Sequence, residues 1–197
     1  GNSKAAYGTL GASNHSETER EENDYYATSP KAVEMLLEQE TFSEKIWECA
    51  SGEDHIAKVL RKHGYDVWCT DIVDRTGHTE VRDFLKEKRA FYGDIITNPP
   101  YKYAQEFVEH ALWSVQYGNK VAMYLKLTFL EGKKRQQLFK QRNLKTIYVM
   151  AGRMGCAKNG EFADKENETE GGAIAYAWYV WEKGYCGDPV VKWINNR

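Results

Sequence analysis

The 197-residue chain lacks several things, and each absence removes a class of protein. Its four cysteines, Cys49, Cys69, Cys156 and Cys186, lie far apart with no CxxC pair, which argues for reduced thiols and against a zinc site. Its five histidines are scattered singly without HExxH spacing, so each reads as a surface or packing residue. There is no run of about 18 apolar residues and no signal-peptide pattern, so the expectation is a soluble protein of the cytoplasm. A net charge of −2 excludes a generally basic protein that coats nucleic acid, yet allows a local basic face. No internal repeat is present, and 42% apolar with 28% charged residues is ordinary for one globular domain.

Proline is scarce too, and two of the four stand together. They close the stretch Asp94-Ile95-Ile96-Thr97-Asn98-Pro99-Pro100-Tyr101, whose apolar run reads as a buried strand. Neither proline has an N–H for a sheet ladder, so the strand ends at Asn98. Each also holds the residue before it extended. Two acceptors, the Asn98 side-chain oxygen and the Pro99 carbonyl, are thereby expected close together at the strand's C-terminal edge. Such a pair takes both donors of a planar amino or amide group, favours a pyramidal nitrogen and turns its lone pair toward an electrophile. Tyr101 offers a ring to a flat substrate, and such stacking is worth roughly 1–3 kcal/mol per base. The bland alternative is a strand, a Pro-Pro turn and a surface aromatic.

Along the chain, residues 1–23 crowd Glu17, Glu19, Glu21 and Glu22 among Gly, Ser and Asn, and read as a mobile leader. Residues 24–197 read as a single domain. Ser29 is an N-cap candidate, Pro30 the first helical position, and Val33, Leu36 and Leu37 an apolar helix face. From Ile46 through Gly52 to Leu60 the pattern is strand, glycine turn, helix, the opening unit of a dinucleotide-type fold. A second strand then ends in Asp71 about twenty residues on, the place of a carboxylate that holds ribose hydroxyls. Residues 79–87 suggest a short helix or a strand-like edge. A helix is expected over 104–117, with Phe107, Val108, Ala111, Leu112 and Val115 at helical spacing. Strands are expected over 120–130 and 144–150. Between 133 and 145 stand Lys133, Lys134, Arg135, Lys140, Arg142 and Lys145 without an acid. That segment is either a solvated helix face or the place for phosphate contacts. Residues 152–172 read as a mobile loop with Arg153, Lys158 and Phe162 as contact residues. Residues 173–181 suggest one arm of a strand pair with 190–194 as partner, and Trp178 and Trp181 as core.

Asn98-Pro99-Pro100-Tyr101 resembles motif IV of S-adenosylmethionine-dependent methyltransferases acting on amino groups. That family includes DNA adenine-N6 methyltransferases and some RNA and protein-glutamine methyltransferases. Tyr26-x-Thr28-x-Pro30 resembles its motif X, Glu48 to Gly52 motif I, Asp71 motif II and Asp83-Phe84 motif III. The order X, I, II, III, IV looks like the gamma-type arrangement of adenine-N6 enzymes, and the aromatic-rich ending resembles small phage and prophage members. The resemblance covers about residues 24 to 194.

This resemblance implies a class I, Rossmann-like α/β three-layer sandwich, with a mostly parallel sheet and an antiparallel C-terminal strand. It implies S-adenosyl-L-methionine as cofactor. Tyr26 and Thr28 would lie at its methionine end, with Glu48, Ala50, Gly52 and Asp54 near the amino acid. Asp71 and Ile72 would lie at the ribose. Asp83 would take the adenine amino group, Phe84 would lie beside the ring, and Asn98 would complete the site. Asn98, Pro99, Pro100 and Tyr101 would be catalytic, in direct in-line methyl transfer to a base flipped out of DNA at a cost of a few kcal/mol. Lys133, Lys134, Arg135, Arg153 and Lys158 would contact the nucleic acid. The family usually carries a second glycine where this chain has Asp54, whose side chain would narrow the loop or reach the cofactor's ammonium. Only the basic segment and the 152–172 loop are available for target recognition, so selectivity is low or is supplied by a homodimer or a separate specificity partner. An RNA base or a protein glutamine is the alternative acceptor, and a decayed, non-catalytic binding module the alternative to an enzyme. A phage-encoded member would act in the host cytoplasm.

Overall fold

In a computed structural model, residues 26–152, 156–158 and 174–194 are described. The elements are β1 (Tyr26–Thr28), α1 (Pro30–Gln39), β2 (Lys45–Glu48), α2 (His55–Lys62), β3 (Asp66–Asp71) and β4 (Glu80–Val81), followed by β5 (Asp94–Thr97) and α3 (Ala104–Ser114). Then come β6 (Lys120–Lys126), α4 (Gln136–Lys140), β7 (Leu144–Met150), β8 (Cys156–Lys158), β9 (Tyr176–Glu182) and β10 (Val190–Ile194). Eight strands make one sheet in the order β10-β7-β9-β6-β5-β2-β3-β4, while β1 and β8 pair antiparallel as a separate ribbon. Within the sheet only β9 runs against its neighbours.

The alternation of side chains along each strand divides the core into two layers. Trp47, Ile95, Val121 and Met123 face one side, with Phe107, Val108, Ala111 and Leu112 of α3. Ile46, Ile96, Ala122 and Tyr124 face the other, with Ala32, Val33 and Leu36 of α1 and Ile56, Ala57 and Leu60 of α2. β9 is apolar from Tyr176 to Trp181 because it feeds both: Tyr179 and Trp181 into the first layer, Trp178 and Val180 into the second. The result is the expected three-layer α/β sandwich, mostly parallel with an antiparallel C-terminal strand.

Several local expectations are corrected. Ser29 stands at the N-cap of α1 but makes no side-chain cap, because Pro30 already fixes the first turn. α3 stops at Ser114, whose hydroxyl bonds to the His110 carbonyl at 2.8 Å, so 115–117 are outside it. β6 stops at Lys126 because pairing with β5 ends at Met123 and with β9 at Lys126. Leu127–Leu130 then coils into a 3-10 turn. β10 pairs with β7, not β9, whose two edges are taken by β6 and β7. Part of the supposed 152–172 loop is strand β8, paired with β1. The leader 1–23, Arg153 and Phe162 lie outside the described residues.

Candidate active site

The sheet order reverses between β2 and β5: β3 and β4 lie beyond β2, β6 beyond β5. The crevice at the C-terminal ends of such strands is where a doubly wound fold receives ligands. Glu48 closes β2 and Asn98 follows β5, so the two strongest sequence features flank it.

The turn after β2 is built on backbone geometry. Gly52 and Asp54 both take positive φ, 54° and 65°. Asp is among the few residues that tolerate the left-handed region, so Asp54 supplies the conformation the usual glycine would and then opens α2. Asp71 ties this turn to the end of β3: one carboxylate oxygen accepts from the Gly52 N–H at 2.8 Å, the other from Ile72 N–H at 2.6 Å. Ser51 N–H donates to the Thr70 carbonyl at 3.1 Å. Ala50 and Ile72, both half-buried, flank this junction.

Three acids converge here. Glu48 is 1% exposed and accepts from the Ala50 N–H at 3.0 Å and, through a short bond, from the Thr97 hydroxyl. Burial pushes its carboxyl up to about 8, against the pull of those two bonds, with Asp71 and Asp54 adding a smaller upward push. Asp54, 3% exposed, has one oxygen 3.2 Å from His78 Nε2. His78 is brought there by a loop wound on Asp74, which accepts from the N–H groups of Thr76, Gly77 and Thr79.

Residues 79–87 contain both a two-residue edge strand and a 3-10 turn, Phe84–Lys86. Asp83 caps that turn, accepting from Leu85 N–H at 3.1 Å, and burial raises its carboxyl above the usual range. Phe84 is 1% exposed, with its ring 5.0 Å from those of Trp47 and Phe107. The expectation that this ring lies beside a ligand is corrected: Phe84 is core and anchors the Asp83 segment.

Three oxygens in this region are buried with no hydrogen-bond partner among the described residues: Ser51 Oγ, Asp54 Oδ1 and Asp83 Oδ2. Unmade bonds of this kind cost about 1–3 kcal/mol each unless something supplies the donor.

At the other lip, the Asn98 amide nitrogen donates to the Thr28 hydroxyl at 3.1 Å. The amide is thereby oriented, and Oδ1 is its acceptor. Thr28 is in position because β1 is paired to β8, with Thr28 opposite Cys156 and Tyr26 opposite Lys158. Pro99 and Pro100 are buried, and Tyr101 starts a 3-10 turn that leads into α3. The Tyr101 hydroxyl makes a short bond to the Tyr176 hydroxyl, and its half-buried ring has the Lys126 ammonium 4.1 Å from its centre.

The basic segment lies near this lip, since Gln105, at the start of α3, donates to the Lys134 carbonyl at 3.1 Å. Lys133 and Lys134 are exposed. Arg135 is not available in the same way: its guanidinium bonds to the carbonyls of Thr128, Phe129 and Glu131 and lies over the Phe129 ring, holding the 3-10 turn together. A groove of about 980 Å³ between this segment and residues 187–189 has Lys133, Lys140 and Arg142 on its walls.

Sequence reasoning passed over Thr97, His78 and Lys126. Thr97 reads as strand filler, His78 as one scattered histidine, and Lys126 sits inside an apolar run.

No protein-family model matches this chain, and no curated protein matches it by sequence. Solved structures do. A protein assigned as the modification subunit of a type I restriction enzyme from Vibrio vulnificus YJ016 superposes with a TM-score of 0.60 at 13% identity, over 89% of this chain and 48% of that one. The type IIG restriction endonuclease BpuSI gives 0.55 at 13% identity, over 93% of this chain and 28% of that one. A protein assigned as a class I S-adenosylmethionine-dependent methyltransferase from Listeria monocytogenes gives 0.52 at 12% identity, over 84% and 62%. The chain therefore spans less than two thirds of the length of each. At these identities the likeness is one of fold: the architecture is that of the class I methyltransferases.

Proposed function

We propose that the chain is an S-adenosylmethionine-dependent methyltransferase whose acceptor is the N6 amino group of adenine in DNA. The observation that carries this reading is the Asn98 amide, held by Thr28 at the end of β5 beside a crevice of buried acids.

The residues present fit the cofactor. Glu48, Asp54 and Asp71 bring three carboxyl groups together, and although burial keeps the proton on Glu48 up to about pH 8, a ligand with sulfonium and ammonium charges favours its ionised form. The unpartnered oxygens of Ser51, Asp54 and Asp83 are acceptors awaiting donors, which ribose hydroxyls, an ammonium and an adenine amino group provide. When bound, the cofactor supplies an electrophilic methyl group. Glu48, Asp54 and Asp71 hold and orient it, with Ala50, Gly52 and Ile72 shaping the wall and Asp83 binding the adenine edge. Tyr26 and Thr28 complete the methionine end.

On the acceptor side, the Asn98 oxygen and the Pro99 carbonyl take the two N–H groups of the target. This turns the nitrogen lone pair toward the electrophile with no strong base required. Pro100 keeps the pair rigid, and Tyr101 forms the platform for the base. Lys133 and Lys134, with Arg153 and Lys158 from the segment that follows β7, provide phosphate contacts that help offset the cost of flipping. Two of the structures that share the fold are named as parts of restriction enzymes, and DNA is taken as the acceptor on that ground.

The test is transfer of labelled methyl to unmethylated DNA, to RNA and to a protein extract. Label recovered as N6-methyladenine in DNA, and reduced about 10²–10³-fold in Asn98→Ala, is the expected result. Label in glutamine or RNA alone moves the acceptor, and label in none of them with no cofactor binding refutes an enzymatic role.

A further inference from the structure

We infer that Lys126 is a substrate-positioning residue: it grips a backbone phosphate of the target nucleotide, giving up the face of Tyr101 to the incoming base. This rests on the nucleic-acid methyltransferase reading and deepens it, since it requires a phosphodiester-linked acceptor.

The two ends of β6 are lysines with different surroundings. Lys120, at the start, pairs with Glu40 at 2.8 Å and also donates to the Thr41 carbonyl. Lys126, at the end, pairs with no carboxylate among the described residues. Its ammonium lies 4.1 Å from the centre of the Tyr101 ring, the contact that holds it among the described residues. Its backbone is fixed, by pairing with Tyr176 across the sheet and by the Tyr179 hydroxyl donating to its carbonyl at 2.8 Å. The cation is thus held at the acceptor lip on an anchored stem, with an aromatic face in place of a counter-ion.

A cation over a ring in a half-exposed position is weakly held, whereas a charge-assisted bond to phosphate is strong. Exchange of one for the other is favourable once a phosphate arrives. The ring does not depend on Lys126 for its own position, because the Tyr176 hydroxyl and ring also hold Tyr101. Leaving the ring therefore exposes a platform already set for a base. Lys133 and Lys134 follow a few residues on, with the Lys134 carbonyl tied to α3 through Gln105, so further cations stand near the lip. A protein amide would bring no anion to Lys126, so this residue selects nucleic acid over protein.

The experiment compares wild type with Lys126→Met and Lys126→Arg. Binding of an unmethylated DNA oligonucleotide and kcat/KM are followed from 50 to 200 mM salt, and cofactor affinity is measured by calorimetry. One lost phosphate contact lowers the slope of log K against log salt by about 0.7–0.9. That loss is expected in Lys126→Met, with KM raised more than kcat is lowered and cofactor affinity unchanged. Lys126→Arg is expected to restore the slope. An unchanged slope in Lys126→Met, with wild type methylating DNA, overturns this inference and leaves the enzyme reading intact. A fall in cofactor affinity in Lys126→Met overturns it as well, by showing a structural role. Wild-type transfer to protein with none to nucleic acid overturns both.

Discussion

Thr28 and Asn98 are 70 positions apart and joined by a hydrogen bond of 3.1 Å, the amide of the second donating to the hydroxyl of the first. The bond settles which atom of the amide is donor and which acceptor, and it depends on a two-stranded ribbon outside the main sheet.

Replacing Thr28 with Val keeps the shape and removes the acceptor, so the amide loses its fixed orientation. Methyl transfer in a single turnover is expected to fall about tenfold, the equivalent of one hydrogen bond of about 1.4 kcal/mol, with Thr28→Ser restoring it. Equal rates for Thr28→Val and wild type would mean that the orientation is set elsewhere.

Glu48 makes stability depend on pH. Its ordinary value is near 4.5 and burial lifts it to about 8 in the folded chain, so the native state holds the proton more tightly than the unfolded one. The contribution is fully present below about 4.5 and is lost as pH rises through about 8. Ligand-free protein should therefore melt lower at pH 8 than at pH 6, and Glu48→Gln should flatten that difference. A cationic ligand favours the ionised form, so its affinity should climb with pH up to about 8, with proton release measurable in buffers of different ionisation heat. A pH-independent melting difference between wild type and Glu48→Gln would contradict this.

Asp54→Gly separates backbone from side chain. Glycine takes φ 65° without a Cβ, which offsets its greater freedom in the unfolded chain, so melting should shift by the equivalent of about 1 kcal/mol or less. The buried Oδ1 and the His78 contact are lost. Cofactor affinity should drop at least about tenfold if that oxygen accepts from a charged donor. Unchanged affinity would leave Asp54 with a backbone role alone.

Trp178 tests the framework. Its indole N–H donates to the Ala32 carbonyl at 2.8 Å inside the core, clamping α1 onto β9. Trp178→Phe leaves that carbonyl unpaired and a gap beside it, and should cost about 2–4 kcal/mol in urea unfolding. A cost under about 1 kcal/mol would show that α1 is held by its other contacts.

What the sequence made legible follows from periodicity and from prolines. Apolar runs in β5, β7 and β9 name buried strands, and the Pro99-Pro100 step marks where β5 must stop. The glycine turn and Asp71 in register place the crevice, because spacing along the chain translates directly into neighbouring strand ends. The partner of β10 was not legible, since an apolar strand such as β9 pairs equally well on either edge and only the whole sheet decides. Nor was β8: three residues in a polar, glycine-rich stretch carry no pattern, and they become a strand only because β1 is there to pair with them. Phe84 and Arg135 show the same limit at the level of one side chain. An acid-aromatic pair and a basic run are visible in sequence, yet packing decided that the aromatic is core and that the arginine binds carbonyls.

The position of β9 between β6 and β7 has a consequence for how the chain is made. Both neighbours are synthesised before it, so a nascent chain that has reached Met150 has two strands with open, apolar edges and nothing yet to fill the gap. Such edges invite pairing with other chains, and contacts this distant in sequence form slowly. Release of residues through Glu182 from the ribosome is then the event that fills the gap, before β10 covers the other edge of β7, and an earlier stop is expected to leave an aggregation-prone fragment in place of a smaller domain.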